Sequence, residues 1–321
     1  MRDKVYLASF LLGAGLLLYA GRGLLAQSAM VAWGLTFAGT TAVGVLGMAL
    51  YQVQDQLRAS RRELARKEAE LNFAREVQRA LFPRQFPLDS GLEFAAVCVP
   101  AAGISGDYYD VLELSDGRLV FAIADVSGKG LSAAILMSNV HAGLRILVEG
   151  GHSAAELCSQ LNRHLCRFTE SQRFATLFYG EWDRILRRLT YVNAGHTTPI
   201  LAGRGDTCRR LDCGGVPIGL FPDSSFYAGT VTLDPGDLVV LYSDGITEAG
   251  VADAEPFGES RLQSLIATHR LRPLDDIQQV VLDAVHDWSG REPEDDMTLL
   301  LVRASGLQNE SRPGKSAERA L

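Results

Sequence analysis

The chain opens on two apolar runs. VYLASFLLGAGLLLYAG (5–21) and AMVAWGLTFAGTTAVGVLGMALY (29–51) contain no charged residue. As a helix of about 1.5 Å per residue the second reaches roughly 34 Å, more than the about 30 Å of a bilayer's hydrocarbon core. The first becomes long enough by continuing through Leu24 and Leu25, with Arg22 snorkelling. The connection between them is very short, so the pattern predicts a transmembrane helical hairpin over residues 1–53. Residues 1–26 also have the layout of a cleaved signal peptide, with Arg2 and Lys4 before an apolar core. Either way, basic residues fix the side. Arg58, Arg61, Arg62, Arg66 and Lys67 crowd the end of the second run, and only Arg22 lies between the runs. The positive-inside rule then places the bulk of the chain in the cytoplasm.

Residues 54–83 are charged, rich in helix formers and end at Pro83, which predicts a helical linker. Leu57, Leu64 and Leu71 recur every seven residues, but positions 61, 68 and 75 are Arg, Glu and Arg. A coiled coil needs both core positions apolar, so this heptad is weak. Leu71, Ala74, Val77 and Leu81 form a better helical stripe. Two readings stand: a solvated stalk whose last turns pack on the next domain, or a dimerising signal helix.

Beyond Pro83 the periodicity shortens. DYYDVLEL (107–114) and RLVFAIAD (118–125) flank Ser115-Asp116-Gly117, a hairpin signal. Strands are also predicted at 187–195, 229–245 and 296–304, and helices at 131–150, 153–169, 259–270 and 275–289. Strands come in hairpin-like clusters and helices in pairs. That argues for an α+β domain with helices packed on antiparallel sheets, over residues 84–303. The tail, 304–321, is polar and aperiodic, and is expected to be disordered.

Composition narrows the chemistry. A net charge of −7 gives a nucleic-acid partner no electrostatic support. The five cysteines form no CxxC pair, and nothing completes a zinc site around Cys208 and Cys213. Carboxylates are more telling. Asp125 ends LVFAIAD, Asp244 ends DLVVLYSD, Asp295 and Asp296 precede MTLLLV, and Asp107 opens DYYDVLEL. With Asp116-Gly117 as a two-residue turn, Asp107 pairs with Val126, beside Asp125. Clustered carboxylates repel, and some must protonate unless a cation is present. Too few histidines for zinc chemistry leave an all-oxygen site for two hard divalent ions, Mg²⁺ or Mn²⁺. Such a pair acidifies water and clamps an in-line displacement at phosphorus. The residues by themselves point to a metal-dependent phosphohydrolase.

Two nucleotide-binding readings of IADVSGKGLSAA (123–134) fail. A Walker loop needs Gly five residues before its Gly-Lys, where Ile123 stands, and no Ser or Thr follows Lys129. A histidine-kinase lid has a different acid-to-glycine spacing, and residues 52–83 hold no histidine to phosphorylate.

SGDYYDV (105–111), IADVSGKGLSAAILM (123–137), YVNAGHTTPIL (191–201), GVPIGLF (215–221), LYSDGITEA (241–249), FGESRL (257–262) and DDMTLLLV (295–302) occur in a recognisable order. They resemble the bacterial PPM-type (protein phosphatase 2C-like) serine/threonine phosphatases of the SpoIIE and RsbU branch. AREVQRALFP (74–83) resembles the helix preceding that catalytic domain. The resemblance covers about 84–303 and implies a β-sandwich flanked by helices. It implies that Asp125 bridges two Mn²⁺ or Mg²⁺ ions, with an oxygen added by the Val126 carbonyl. Asp107 would stand on the second-metal side. Asp244 and Asp295 would hold the other ion, with Asp296 a weaker candidate. Water activated between the ions would attack phosphoserine or phosphothreonine directly.

The family's usual Gly-Gly-Asp is here Ser105-Gly106-Asp107. No general acid is identified. His196 is expected to bond a loop, Thr298 to orient Asp295, and Asp110 to be a plain strand residue. Gly128 and Gly130 are expected to make the sharp turn that starts the next helix. The resulting expectation is a two-pass bacterial inner-membrane protein phosphatase with its catalytic domain in the cytoplasm. By resemblance its substrate is a phosphorylated anti-sigma-factor antagonist, with homodimerisation through the linker as a further partner. Two rivals remain: a silent membrane-tethered scaffold of the same fold, and a small-molecule phosphohydrolase.

Overall fold

The computed structural model describes residues 2–24, 29–168, 173–203, 208–250, 255–290 and 293–306. The chain divides into two compact units, Met1–Glu70 and Leu71–Leu321. Helix α1 spans Arg2–Leu24, in the first unit, and α2 spans Ala29–Arg79, running from the first unit into the second. The predicted second span and linker are thus one uninterrupted helix. Phe10, Leu12, Leu17, Trp33, Phe37 and Met48 on these helices are exposed. Among the described residues, α2 carries an apolar stretch long enough to cross a membrane, whereas the apolar part of α1, Phe10–Arg22, is shorter. The predicted hairpin connection, 25–28, and the tail from 307 onward lie outside the described residues.

The second unit is a four-layer sandwich. One sheet has the order β1 (Leu92–Val99), β11 (Met297–Ala304), β10 (Leu238–Tyr242), β6 (Ile200–Ala202) and β7 (Cys208–Arg210). The other runs β2 (Tyr108–Glu113), β3 (Leu119–Val126), β4 (Ala175–Asp183), β5 (Arg188–Ala194) and β8 (Gly214–Gly215), with β9 (Gly229–Thr232) also on β5. Strands alternate sides with period two, so each central strand feeds two cores. On β3, Phe121 and Ile123 face the opposing sheet and meet Leu300 and Val302 of β11. Val120, Ala122 and Ala124 face the other way, under α3 (Leu131–Val148) and α4 (Ala154–Phe168). On β11, Leu299 and Leu301 lie under α6 (Glu259–His269) and α7 (Leu274–Ser289). Burial on both faces explains why these strands read as continuous apolar runs. Apolar α3, which has the length and composition of a membrane span, is a core helix here, with Met137, Val140 and Leu144 fully buried.

The β2–β3 register corrects the sequence expectation by one residue. Tyr108 pairs with Ala124, so Asp107 stands opposite Asp125 rather than Val126. The cause is the turn. The Leu114 N–H donates to Arg118 O and the Gly117 N–H donates to Leu114 O, which leaves a three-residue loop, Ser115-Asp116-Gly117. Gly117 is left-handed at φ 80°, as a turn extended by one bulge residue requires.

Candidate active site

The acids collect at one end of the sandwich. Asp107 precedes β2 and Asp125 lies near the end of β3, both on one sheet. Antiparallel pairing of β10 with β11 sets Tyr242 opposite Leu299. This brings the segment after β10 beside the segment before β11. Ser243 immediately precedes the one-turn helix α5 (Asp244–Thr247), and its Oγ, instead of capping that helix, donates to Asp296 O and accepts from the Thr298 N–H. Gly245 sits directly against the Asp296 carbonyl, where a Cβ would collide with backbone. Only glycine allows the SDG turn and the Asp295-Asp296 pair to approach so closely.

Asp296 joins the sheets. Its Oδ1 accepts from the Ala101 N–H (2.8 Å), and its Oδ2 accepts from Ser105 Oγ (3.0 Å) and the Gly106 N–H (2.6 Å). Those donors belong to the loop that delivers Asp107. The Ser105 hydroxyl also accepts from the Asp107 N–H (2.9 Å). From the other side, buried Gln78, near the C-terminus of α2, clasps Ser105. Its Nε2 donates to Ser105 O (2.6 Å) and its Oε1 accepts from the Ser105 N–H (2.9 Å). The sequence marks neither Gln78 nor Ser105 as a site residue, since the clasp joins a side chain to backbone groups and no motif spacing encodes it.

Electrostatics mark the cluster. Burial, then the Asp125 charge, holds the Asp107 carboxyl well above the usual carboxylate range, with the Thr298 and Ser243 hydroxyls offsetting part of this. Burial followed by Asp244, Asp295 and Asp296 raises Asp125 to about 7. Burial and Asp295 raise Asp244. Asp107 Oδ2 is buried without a hydrogen-bond partner among the described residues. Acids that suppress one another's ionisation, with a lone-pair oxygen unspent, are a donor set fit for hard divalent cations. Among the described residues no three His, Cys, Asp or Glu side chains close around a single point. Asp295 is drawn aside to Lys129 Nζ (2.9 Å), and Asp296 is engaged as above.

Other predicted residues fall into place around the acids. Gly128 (φ 102°) and Gly130 (φ 70°) make the left-handed turn that starts α3. His196 is buried, with Nδ1 2.8 Å from Thr176 Oγ1, and its backbone N–H donates to Asn193 Oδ1. Burial lowers it to about 4, so it is a neutral brace near Asp125, whose carbonyl the Thr176 hydroxyl also meets (3.3 Å). Thr298 departs from its expectation: its buried hydroxyl makes no hydrogen bond to Asp295 or to any other described residue, and it offsets part of the upward shift at Asp107. Asp110 is more than a plain strand residue. It is buried and accepts from Arg145 Nε (2.8 Å) and Nη2 (3.0 Å) and from Tyr108 OH (2.8 Å), tying α3 to β2.

The sequence profile of Stage II sporulation protein E (SpoIIE) matches residues 115–305, more than half of the chain. The chain belongs to the SpoIIE family. Phosphoserine phosphatase RsbU of Bacillus subtilis is 30% identical over 258 residues, which is 80% of this chain and 75% of RsbU. Phosphoserine phosphatase RsbP of the same species is 26% identical over 238 residues, 73% of this chain and 57% of RsbP. Among solved structures, the RsbU and RsbW domains of a Mycobacterium tuberculosis protein match at 27% identity and TM-score 0.60, over 67% of this chain and 62% of that one. The SiaA-PP2C domain of Pseudomonas aeruginosa matches in fold at TM-score 0.66 and 23% identity, over 74% of this chain and 97% of that one. This SpoIIE-family chain is a metal-dependent serine/threonine phosphatase of the PP2C type.

Proposed function

We propose that the protein is anchored in a bacterial inner membrane by α1 and the first half of α2, with its phosphatase domain in the cytoplasm. Its substrate is phosphoserine or phosphothreonine on a regulatory protein of the anti-sigma-factor-antagonist type. The observation that carries the catalytic part is the gathering at one end of the sandwich of Asp107 and Asp125 from one sheet with Asp244 and Asp295 from the other, where burial and neighbouring acid charge raise Asp107, Asp125 and Asp244. The exposed apolar surface of α1 and α2 and the basic residues from Arg58 to Lys67 support the membrane part. The relatives named phosphoserine phosphatases support the substrate class.

Asp107, Asp125, the Val126 carbonyl, Asp244 and Asp295 would hold two Mn²⁺ or Mg²⁺ ions. Ions bound there supply Lewis acidity toward the phosphoryl group and lower the pKa of water. The chain's own residues keep the acids in range. Gly245 lets the two acid-bearing turns touch. Asp296, turned toward the Ala101–Gly106 loop by three donors, acts as organiser more than as ligand. Ser105 and Gln78 fix the approach of Asp107.

The substrate reading is tested by comparing full-length protein on a phosphorylated anti-sigma-factor antagonist and on free phosphoserine. The protein substrate is expected to be favoured in kcat/KM by about two orders of magnitude, because remote contacts contribute to the transition state. Equal values would point to small phosphorylated metabolites instead. Recovery of the chain in the soluble fraction after cell lysis would refute the anchor.

A further inference from the structure

Among the described residues, one cation is paired with these acids. Lys129 Nζ lies 2.9 Å from Asp295 Oδ2 and donates to the Glu294 carbonyl at 3.2 Å. Its neighbours Gly128 and Gly130 are both left-handed, so the lysine stands at the apex of a tight turn on the β3 side and reaches an acid on the β11 side. The pair is open to water, Lys129 at 67% and Asp295 at 51% side-chain exposure. It borders a cavity of about 200 Å³ that Gly245, His286 and Met297 also line.

We infer that Lys129 is a tethered counter-cation of Asp295, displaced when a divalent ion takes that carboxylate and then free to hold the phosphoryl oxygens of the substrate. The inference rests on the two-ion reading above. An exposed ion pair is weak and easily broken, so a doubly charged ion wins the carboxylate. The ammonium offsets part of the repulsion that Asp295 exerts on Asp244. Once released, its range is set by the short turn, which keeps it at the mouth of the cavity. A lysine suits this double role because it is a compact charge with three rotatable donors, able to serve a carboxylate in one state and a phosphate in the next. The same side chain thus lowers metal affinity and raises phosphate affinity.

The full-length protein, solubilised in detergent, carries four lysines, Lys4, Lys67, Lys129 and Lys315. Isotope-labelled lysine ammonium groups are therefore few enough to resolve by NMR, with Lys129→Met identifying the signal. Saturation with Mg²⁺ should move the Lys129 signal from an ion-paired to a free position, and inorganic phosphate should move it again. By calorimetry, Lys129→Met should bind Mn²⁺ about twofold to fivefold tighter, the worth of one exposed ion pair, and bind phosphate more weakly on the metal-loaded protein. Lys129→Arg should retain phosphate binding. If Mg²⁺ binds, and binding is lost in Asp125→Asn, but the Lys129 signal stays put, this inference is overturned and the two-ion reading stands. If wild type binds no ion, or Asp125→Asn with Asp244→Asn binds as well as wild type, both fall together.

Discussion

Gly245 and Ser105 set the spacing of the acids, although neither carries a charge. A methyl group at Gly245 would meet the Asp296 carbonyl. Gly245→Ala is therefore expected to part the SDG turn from the Asp295-Asp296 segment, costing about 1–3 kcal/mol of overpacking. A lowered Tm together with weakened Mn²⁺ binding checks this; an unchanged Mn²⁺ affinity would count against it. The acids themselves were legible in the sequence, because several carboxylates placed directly at the ends of strongly apolar strands are hard to account for as solvated turn residues. Their pairing was legible to within one residue. Ser115-Asp116-Gly117 encodes a turn, but a two-residue and a three-residue loop differ only in whether Gly117 serves as a bulge, and strand pattern does not distinguish them. The Arg145 partner of Asp110 was illegible for another reason: the two stand 35 positions apart and meet only once α3 is laid on β2.

Helices and the central strands were readable because their periodicities differ and their apolar runs are long. The exceptions are β1, at the edge of its sheet, and β4, in the middle of the other. Polar and apolar positions mix along Leu92–Val99 and Ala175–Asp183, as in Glu93, Thr176 and Glu181. A change in composition separates 1–53 from 54–83, yet helical hydrogen bonding runs through it, so α2 is one element. The C-terminal turns of α2 belong to the phosphatase unit, where Gln78 occupies both backbone groups of Ser105. Gln78→Ala would leave a buried N–H and C=O without partners, at a cost of about 1–3 kcal/mol for each group. It should lower Tm and alter kcat, since Ser105 holds both Asp107 and Asp296. A variant with wild-type Tm and kcat would show that the clasp is idle.

For the whole molecule, pH and metal should trade places as stabilisers. Asp125 is raised to about 7, and Asp107 and Asp244 are also raised. Between the ordinary carboxylate range and about 7, the folded chain then holds more protons than the unfolded chain, so stability from these groups falls as pH rises. His196, lowered to about 4, contributes the opposite slope between about 4 and 6.5. Comparing wild type with Asp125→Asn cancels the histidine. In EDTA, the Tm of wild type should drop relative to Asp125→Asn from pH 5 to pH 8, and Mn²⁺ at pH 8 should reverse the order, because ions bind only the folded wild-type site. Parallel profiles would mean that the acids do not repel one another in the folded chain.

If acids from two sheets form one metal-dependent phosphatase centre, phosphate release from a phosphoserine peptide reads it out most directly. Full-length protein in membranes would be assayed with Mn²⁺ or with EDTA, beside Asp125→Asn and Asp244→Asn. Turnover is expected with Mn²⁺, abolished by EDTA and reduced to background in each variant. Turnover that persists in EDTA, or in either variant, would mean that the joined acids are not the catalytic centre.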